Sequence, residues 1–305
     1  MTLERRDFVR TSLTIAAGVV AAPVLNSCKL ESRRELADAG FLDLRDRYFR
    51  EQLTLNPVTS TYLGGDGWDP ALRQLNGKLR DYSAGALRDE HQNYRLLDRA
   101  LASIDPTLLT PPRRVDHGVM AAQLAFLRYQ LDRRYHERAI DTYVAEPFRG
   151  VDWQIQQMQN FDNGKLGDES EWRLVVTRLS AIPAYLSVAR DNLLAGRRSG
   201  NLPDRRMVQR DGIAGSRANA EYFRTTLPTL AKSYLGDQRF AGSMLAGIAG
   251  AGQAAARAYE DFATWLERTF PINDNADRFA LGEGAYQWRV RTVLRDDRSA
   301  AELYE

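Results

Sequence analysis

One segment dictates the kind of structure this chain can build. Asp168 and Glu171 are spaced as a reciprocal helix cap, a carboxylate N-cap with a glutamate at N3. Behind them Trp172, Val175, Leu179, Ile182, Leu186, Ala189 and Leu193 recur every three or four residues, which is one apolar face of a long helix. Gly196 falls where a left-handed C′ residue would close that helix. Pro183 sits inside it, removing a backbone donor and crowding the Leu179 carbonyl, so a kink is expected there.

The same period runs through the rest of the chain, and strand alternation is hard to find. Phe41, Leu44, Tyr48, Phe49 and Leu53 form a stripe that Pro57 ends. Leu87, His91, Tyr94, Leu97, Leu101 and Ile104 form a second, stopped by Asp105 and Pro106. Met120, Leu124, Leu127, Leu131 and Tyr135 form a third, with Arg128, Asp132 and Arg134 off that face. Two further helices are expected, over 216–235 with Pro228 inside and over 240–270. The latter has a waist of small residues from Ala246 to Ala256, which would let another helix approach closely. The expected fold is therefore all-α, an irregular multi-helix array forming one large helical domain over 35–305. Between the third and fourth stripes, residues 141–167 read as a turn-rich connection carrying Tyr143, Pro147, Phe148, Trp153 and Phe161. Aromatics on so long a connection either line a binding surface or plug the core.

The first residues read as an address. Arg5, Arg6 and Phe8 precede an apolar run from Leu13 to Val24, too short to span a bilayer of ~30 Å permanently. A basic start and a small-residue end fit an export signal that is removed, and the arginine pair resembles the signal for exporting folded proteins. Leu25, Asn26, Ser27 and Cys28 resemble a bacterial lipobox, which makes 1–27 a signal peptide, Cys28 the lipidated first residue and 28–34 a short linker. The expected location is the cell envelope, on the periplasmic side or as an outer-membrane lipoprotein, since Lys29 and Leu30 lack the acidic residue of inner-membrane retention. The membrane is then a partner through the lipid on Cys28.

Composition narrows the chemistry. The full chain carries 42 basic and 40 acidic residues, and without the leader its net charge is about +1. With basic residues interleaved among acids, no electrostatic footprint for nucleic acid is present. Cys28 is the only cysteine, so disulfides and Cys-type metal sites in the exported body are excluded. His136 and Glu137 open like a zinc helix, but the histidine required four residues on is Ile140. The carboxylate wanted three residues before each histidine of a two-metal bundle is Arg88, Arg114 or Arg133. His91 lies on an apolar stripe, the setting of a hydrogen-bonded core histidine, and Asp132 and His136 are spaced to pair on a surface. No nucleophile elbow or phosphate loop exists. Gly250, Gly252 and Ala255 match the dinucleotide pattern only formally, inside a helical run with no strand before it. No catalytic set and no metal-ligand set is recognisable, and no cofactor is expected within this chain.

Scattered segments carry a resemblance. Asn56-Pro57-Val58-Thr59 with Tyr62-Leu63-Gly64-Gly65, Val115-Asp116-His117, Asp141-Thr142-Tyr143 and Arg149-Gly150-Val151-Asp152-Trp153 are among them. Arg178-Leu179, Ile182-Pro183-Ala184-Tyr185-Leu186, Leu202-Pro203-Asp204-Arg205-Arg206, Tyr222-Phe223, and Asp277-Arg278-Phe279 through to Trp288 continue it. Together they resemble the bacterial family named domain of unknown function 885. That resemblance implies a mostly helical, often exported protein similar to zinc metallopeptidases of the gluzincin type. It also implies a zinc site, His-Glu followed by Pro-Gly-His, in a second half that has no counterpart here. Ser299 and Glu302 form a capping box with only Leu303, Tyr304 and Glu305 after them, which reads as a helix cut short. The expectation is thus the N-terminal helical half of a zinc-dependent, peptidase-like hydrolase, with zinc in the full-length protein and a peptide as substrate. Tyr143, Arg149, Asp152 and Trp153 are the candidates for its cleft lining, an aromatic, a cation and a carboxylate on one segment; the alternative is that they tie that segment to the helices. The competing class is a non-catalytic envelope lipoprotein that binds a peptide or protein partner.

Overall fold

The computed structural model describes residues 21–162, 164–271 and 281–305. Arg5, Arg6, Phe8 and the segment Asp277-Arg278-Phe279 lie outside the described residues, as does the side chain of Cys28. The backbone at Cys28 belongs to α1 (Ala21–Leu55), so the stretch 28–34 expected as a linker is helical.

The fold is all-α, as the periodicity requires, with a single two-residue hairpin of β1 (Phe161–Asp162) and β2 (Lys165–Leu166) among the described residues. α1 is followed by α2 (Pro57–Tyr62) and α3 (Gly65–Trp68), then by a 3-10 segment at Pro70–Leu75. α4 (Ala84–Ala102) starts on Ser83, whose hydroxyl accepts the Ala86 N–H, and buries Leu87, Glu90, Tyr94, Leu97 and Leu101 on one face. α5 (Pro111–Asp132) begins with proline at its first position, where no donor is lost. Phe41 and Leu44 of α1 meet Tyr94, Leu97 and Leu101 of α4 and Met120 and Leu124 of α5 in a first, smaller core. Phe49, on the expected stripe, is 48 % exposed instead.

The second core is larger and centres on α7 (Glu169–Ser199) against α11 (Ala241–Thr269). The capping box forms as expected: the Asp168 carboxylate accepts the Glu171 N–H at 2.9 Å, and Glu171 accepts the Asp168 N–H at 2.9 Å. α7 runs through Pro183 and past Gly196 to Ser199, and the left-handed residue that ends it is Gly200, with φ 75°. Gly196 has a different job. A Cβ there would come within 2.3 Å of the Glu137 carbonyl and 2.7 Å of the Asn201 carbonyl, so the absent side chain admits a neighbouring backbone. The expected small-residue waist of α11 also admits a neighbour, because Gly252 lies against the Phe223 carbonyl and Ala255 and Ala256 are fully buried.

Residues 205–235 form one near-continuous helical run: α8 (Arg205–Met207), a π-helical turn at Val208–Ala214, α9 (Gly215–Glu221), a second π-helical turn at Tyr222–Thr226, and α10 (Leu227–Leu235). The second wide turn falls just before Pro228, which has no N–H to give to the preceding turn. α12 (Glu283–Arg289), a further π-helical turn at Val290–Leu294 and α13 (Ala300–Tyr304) follow. Ser299 and Glu302 make the expected reciprocal cap on α13.

The main departure from expectation lies between the two cores. Residues 141–156 are not a connection but most of a helix, α6 (Ile140–Gln156), which buries Tyr143, Val144, Pro147, Gly150, Val151, Gln154 and Ile155. Pro147 removes the donor that the Tyr143 carbonyl would have received one turn back. Neighbouring helices brace the same turn: Asn219 and the Tyr259 hydroxyl both donate to the Val144 carbonyl, at 2.9 and 2.8 Å. Tertiary packing therefore carries a helix whose proline and glycine read locally as breaks.

Candidate functional site

α6 forms one wall of a cleft of about 800 Å³. Asp141, Ala145, Arg149 and Trp153 recur every four residues along it, so they share the exposed face that looks into the opening. Met207, Arg210, Asp211, Gly215 and Asn219, from α8, the first π-helical turn and α9, form the opposite wall. Asn56, Val58 and Thr59 at the start of α2, with Arg80 and Tyr82, close the remaining side.

Two half-buried charged groups, Arg80 and Glu146, shape the floor. Arg80 uses one guanidinium nitrogen to hold both carboxylate oxygens of Glu90 at 2.8 Å, and another to donate to Asn56 at 2.6 Å. Its guanidinium lies over the Tyr82 ring at 4.6 Å. With Glu90 neutralising Arg80, the neighbouring Glu146 is held by neutral donors. It accepts the Arg80 backbone N–H at 3.2 Å and the hydroxyls of Tyr82 and Tyr185 at 3.3 and 3.1 Å. Loss of water raises the Glu146 carboxyl above its ordinary pKa, and the nearby Arg80 charge and these hydrogen bonds only partly oppose that. Burial and the Glu146 charge also push the Tyr82 and Tyr185 phenols well up. The cleft thus contains a carboxyl biased toward its protonated form among hydroxyl groups that stay neutral.

A second arginine fixes α6 from behind. Arg178 of α7 is fully buried and donates to the Lys78 carbonyl at 3.0 Å, the Gly150 carbonyl at 2.6 Å and the Thr61 hydroxyl at 3.0 Å. No carboxylate pairs with it, and desolvation pulls its pKa down to about 10. Gly150 must be glycine at this contact, since a Cβ would stand 2.8 Å from the Arg178 side chain and 3.1 Å from Val58. The resembling segments around Tyr62, Gly150 and Arg178, scattered in sequence, therefore meet at one latch.

The four candidates divide evenly. Arg149 is exposed on the cleft wall, without a hydrogen bond or ion pair among the described residues. Trp153 also lines the cleft, its ring 4.4 Å from that of Tyr62. Tyr143 is instead fully buried behind the wall, donating to the His136 carbonyl at 2.6 Å and accepting from Asn192 at 3.0 Å. Asp152 lies off the cleft and accepts from Gln156 at 2.7 Å; partial burial raises its carboxyl. Burial of Tyr222, with the Asp152 charge adding to it, pushes that phenol up to about 12. The cleft-lining polar groups that the sequence reading did not single out are Arg80, Tyr82 and Glu146. Glu146 carried a signal: once 140–156 is a helix, a glutamate sits beside the buried positions Tyr143, Pro147 and Gly150.

His91 and His136 line one cavity with Asp132 and Glu137, and His117 lies outside it. His91 pairs with Asp132 at 2.9 Å, in place of the expected Asp132–His136 pair, and His117 contacts the Leu101 carbonyl at 3.2 Å. His136 is held in a short 3-10 turn, where burial lowers its pKa. Among the described residues no three metal-ligating side chains converge, and no helix is long and apolar enough to cross a membrane. Gly250 and Gly252 lie inside α11, so the formal dinucleotide pattern is helical.

The sequence profile of a family of bacterial proteins of unknown function, DUF885, matches residues 57–305, from the start of α2 to the last residue. The chain belongs to this family. A search of curated proteins found no match. The DUF885 match takes in α6, the Arg178 latch and nearly all of the cleft lining, so the site is built from the family's own segment and not from an appended one.

Proposed function

We infer that this DUF885 protein is an exported, lipid-anchored, peptidase-like hydrolase, and that the cleft along α6 is where its peptide substrate lies. The observation that carries this reading is the cleft itself. A volume of about 800 Å³ lies within the range of small-molecule sites, and it combines an uncommitted cation, an aromatic pair and a desolvated carboxyl. Arg149 would orient a peptide carbonyl or carboxylate, and Trp153 with Tyr62 would give an apolar side chain a flat surface. Glu146, when protonated, would donate a hydrogen bond at the floor.

Zinc is the cofactor this reading calls for, yet the described residues do not fit it. His91 pairs with Asp132, His117 contacts the Leu101 carbonyl, and the buried Nδ1 of His136 has no partner, yet no three metal-ligating side chains converge among the described residues. No step is therefore routed through a metal, and these helices are assigned binding and orientation. Anchoring would come from lipid on Cys28, after removal of residues 1–27.

The test is to purify the natural protein from its own envelope, measure its zinc by mass spectrometry and assay it on a peptide library. Peptide cleavage is expected, with any zinc held by ligands outside the described residues, and Arg149→Ala should raise KM more than it lowers kcat, the pattern of lost substrate binding. A metal-free protein that cleaves nothing overturns the hydrolase reading. For the anchor, Cys28→Ser should abolish fatty-acid labelling; labelling that persists removes the lipid from the account.

A further inference from the structure

Charge is distributed unevenly along the cleft. At one end Arg210 is held by both oxygens of Asp211 at 2.8 Å and also lies in the field of Asp141. Two carboxylates face one guanidinium there, a net charge of −1. At the other end Arg149 stands without a partner among the described residues, a net charge of +1. Both ends belong to one rigid element, because Asp141 and Arg149 lie eight residues apart on α6. At ~1.5 Å per residue their backbones are about 12 Å apart. Between them the lining mixes apolar Val144, Ala145, Phe148 and Met207 with polar Thr142, Glu146 and Asn219.

We propose that the cleft selects short peptides with both termini free, Asp141 receiving the α-ammonium group and Arg149 the α-carboxylate. An extended chain advances ~3.3–3.6 Å per residue, so about 12 Å corresponds to three or four residues. A longer chain would have to leave the cleft at one end or lose one terminal contact. This deepens the peptidase-like reading and rests on it, since it takes the cleft to be a peptide site. The two charges set the orientation of the ligand as well as its length. A chain lying the wrong way would bring its carboxylate to the two acids and its ammonium group to the guanidinium.

The experiment compares tetra-alanine with its N-acetylated, C-amidated and doubly blocked forms, and with di- and hexa-alanine. Binding to the full protein is read by calorimetry, or as KM where mass spectrometry shows the peptide being cleaved. Tetra-alanine should bind most tightly. Blocking either terminus should weaken binding about tenfold, the scale of one charge-assisted hydrogen bond. Arg149→Gln should bind the free and amidated peptides alike, and Asp141→Asn the free and acetylated peptides alike. Both side chains are exposed, so circular dichroism should show either variant folded as the parent is. If blocked and free tetra-alanine bind equally well, the terminal-charge proposal falls while the peptide cleft survives. If no peptide binds to folded protein, the peptide-site reading falls and takes this proposal with it.

Discussion

The seam between α7 and α11 and the wall formed by α6 both bury apolar residues of one core, yet only the wall adds hydrogen-bonded polar groups to that contact. Along the first, Leu179, Ile182, Leu186, Ile248, Ala255, Ala256 and Phe262 are almost fully excluded from water. Along the second, the side chains turned toward the rest of the molecule include Glu146 and Gln154, and the element is fastened by Arg178 from outside. An apolar seam closes as tightly as its small residues permit and leaves no room. Where hydrogen-bonded polar groups join such a seam they keep fixed distances between unlike surfaces, and the space left over is the cleft. The dry seam therefore acts as the scaffold and the polar one as the site.

The largest effect should come from the polar fastening. Arg178→Ala removes three hydrogen bonds from a charged donor and strands the acceptors Gly150, Lys78 and Thr61 in the interior. A cost of about 3–5 kcal/mol is expected in urea unfolding, as for other broken buried charge contacts. Leu186→Ala on the dry seam should fall in the cavity range of about 2–5 kcal/mol. The two differ in kind, since the arginine variant should also loosen α6 and speed amide exchange near Gly150. An Arg178→Ala protein with unchanged stability and exchange would mean that α6 needs no latch.

Next in size is a change that overfills the seam between α11 and the second π-helical turn. A Cβ at Gly252 would sit 2.7 Å from the Phe223 carbonyl, a backbone atom that cannot swing aside. Overpacking costs about 1–3 kcal/mol, and alanine returns about 1 kcal/mol of helix propensity. Gly252→Ala should therefore destabilise by up to about 2 kcal/mol in the same measurement. Gly250, on the same helix, has nothing within 4 Å of its would-be Cβ, so Gly250→Ala should stabilise. If both changes stabilise, the seam is looser than its geometry says.

A smaller effect is expected where neither seam is involved. Asp168→Ala removes the cap of α7 and should cost about 1 kcal/mol at neutral pH. Hydrogen bonds from Ser170 and the Glu171 N–H hold the Asp168 carboxyl below its usual range. Its contribution is therefore present above the unfolded pKa near 4 and fades as pH falls through the lower folded value. Parent and variant stabilities should converge in acid, and a difference that stays constant down to pH 2 would contradict the cap.

The dry scaffold was legible because apolar periodicity is a local property. α4, α5, α7 and α11 announce themselves by residues three and four apart, and both capping boxes lie within four consecutive positions. The polar wall was not, for two physical reasons. Pro147 and Gly150 look like breaks until Asn219, Tyr259 and Arg178, from distant parts of the chain, are seen bracing that helix. The floor also brings Glu146 to Arg80 across 66 residues, and to Tyr185 across 39, a meeting that no local pattern encodes. The π-helical turns near Arg210 and Tyr222 left no trace in the period either. Of the four candidates on this segment, Arg149 and Trp153 line the cleft and Tyr143 and Asp152 do not, because a helix, unlike a loop, turns its residues to different sides.

The subtlest prediction tests the polar wall through a slope and not an offset. Glu146 has a folded pKa raised by desolvation, so the native state binds its proton more tightly than the unfolded chain does. The stabilisation from that proton is fully present below the unfolded pKa near 4.3 and is lost as pH rises through the folded value. Glu146→Gln keeps the shape and cannot ionise, and the Tyr82 and Tyr185 hydroxyls can turn to accept from its amide. Urea midpoints of parent and Glu146→Gln should therefore differ least near pH 4. The variant should gain on the parent as pH rises toward 8. A gap that closes or reverses over that range would show that the ionised carboxylate is the form this cleft was built to hold, with Arg80 as its counter-charge. The floor would then be an ion pair, and the contrast between a dry seam and a wall of neutral hydrogen bonds would have to be redrawn around it.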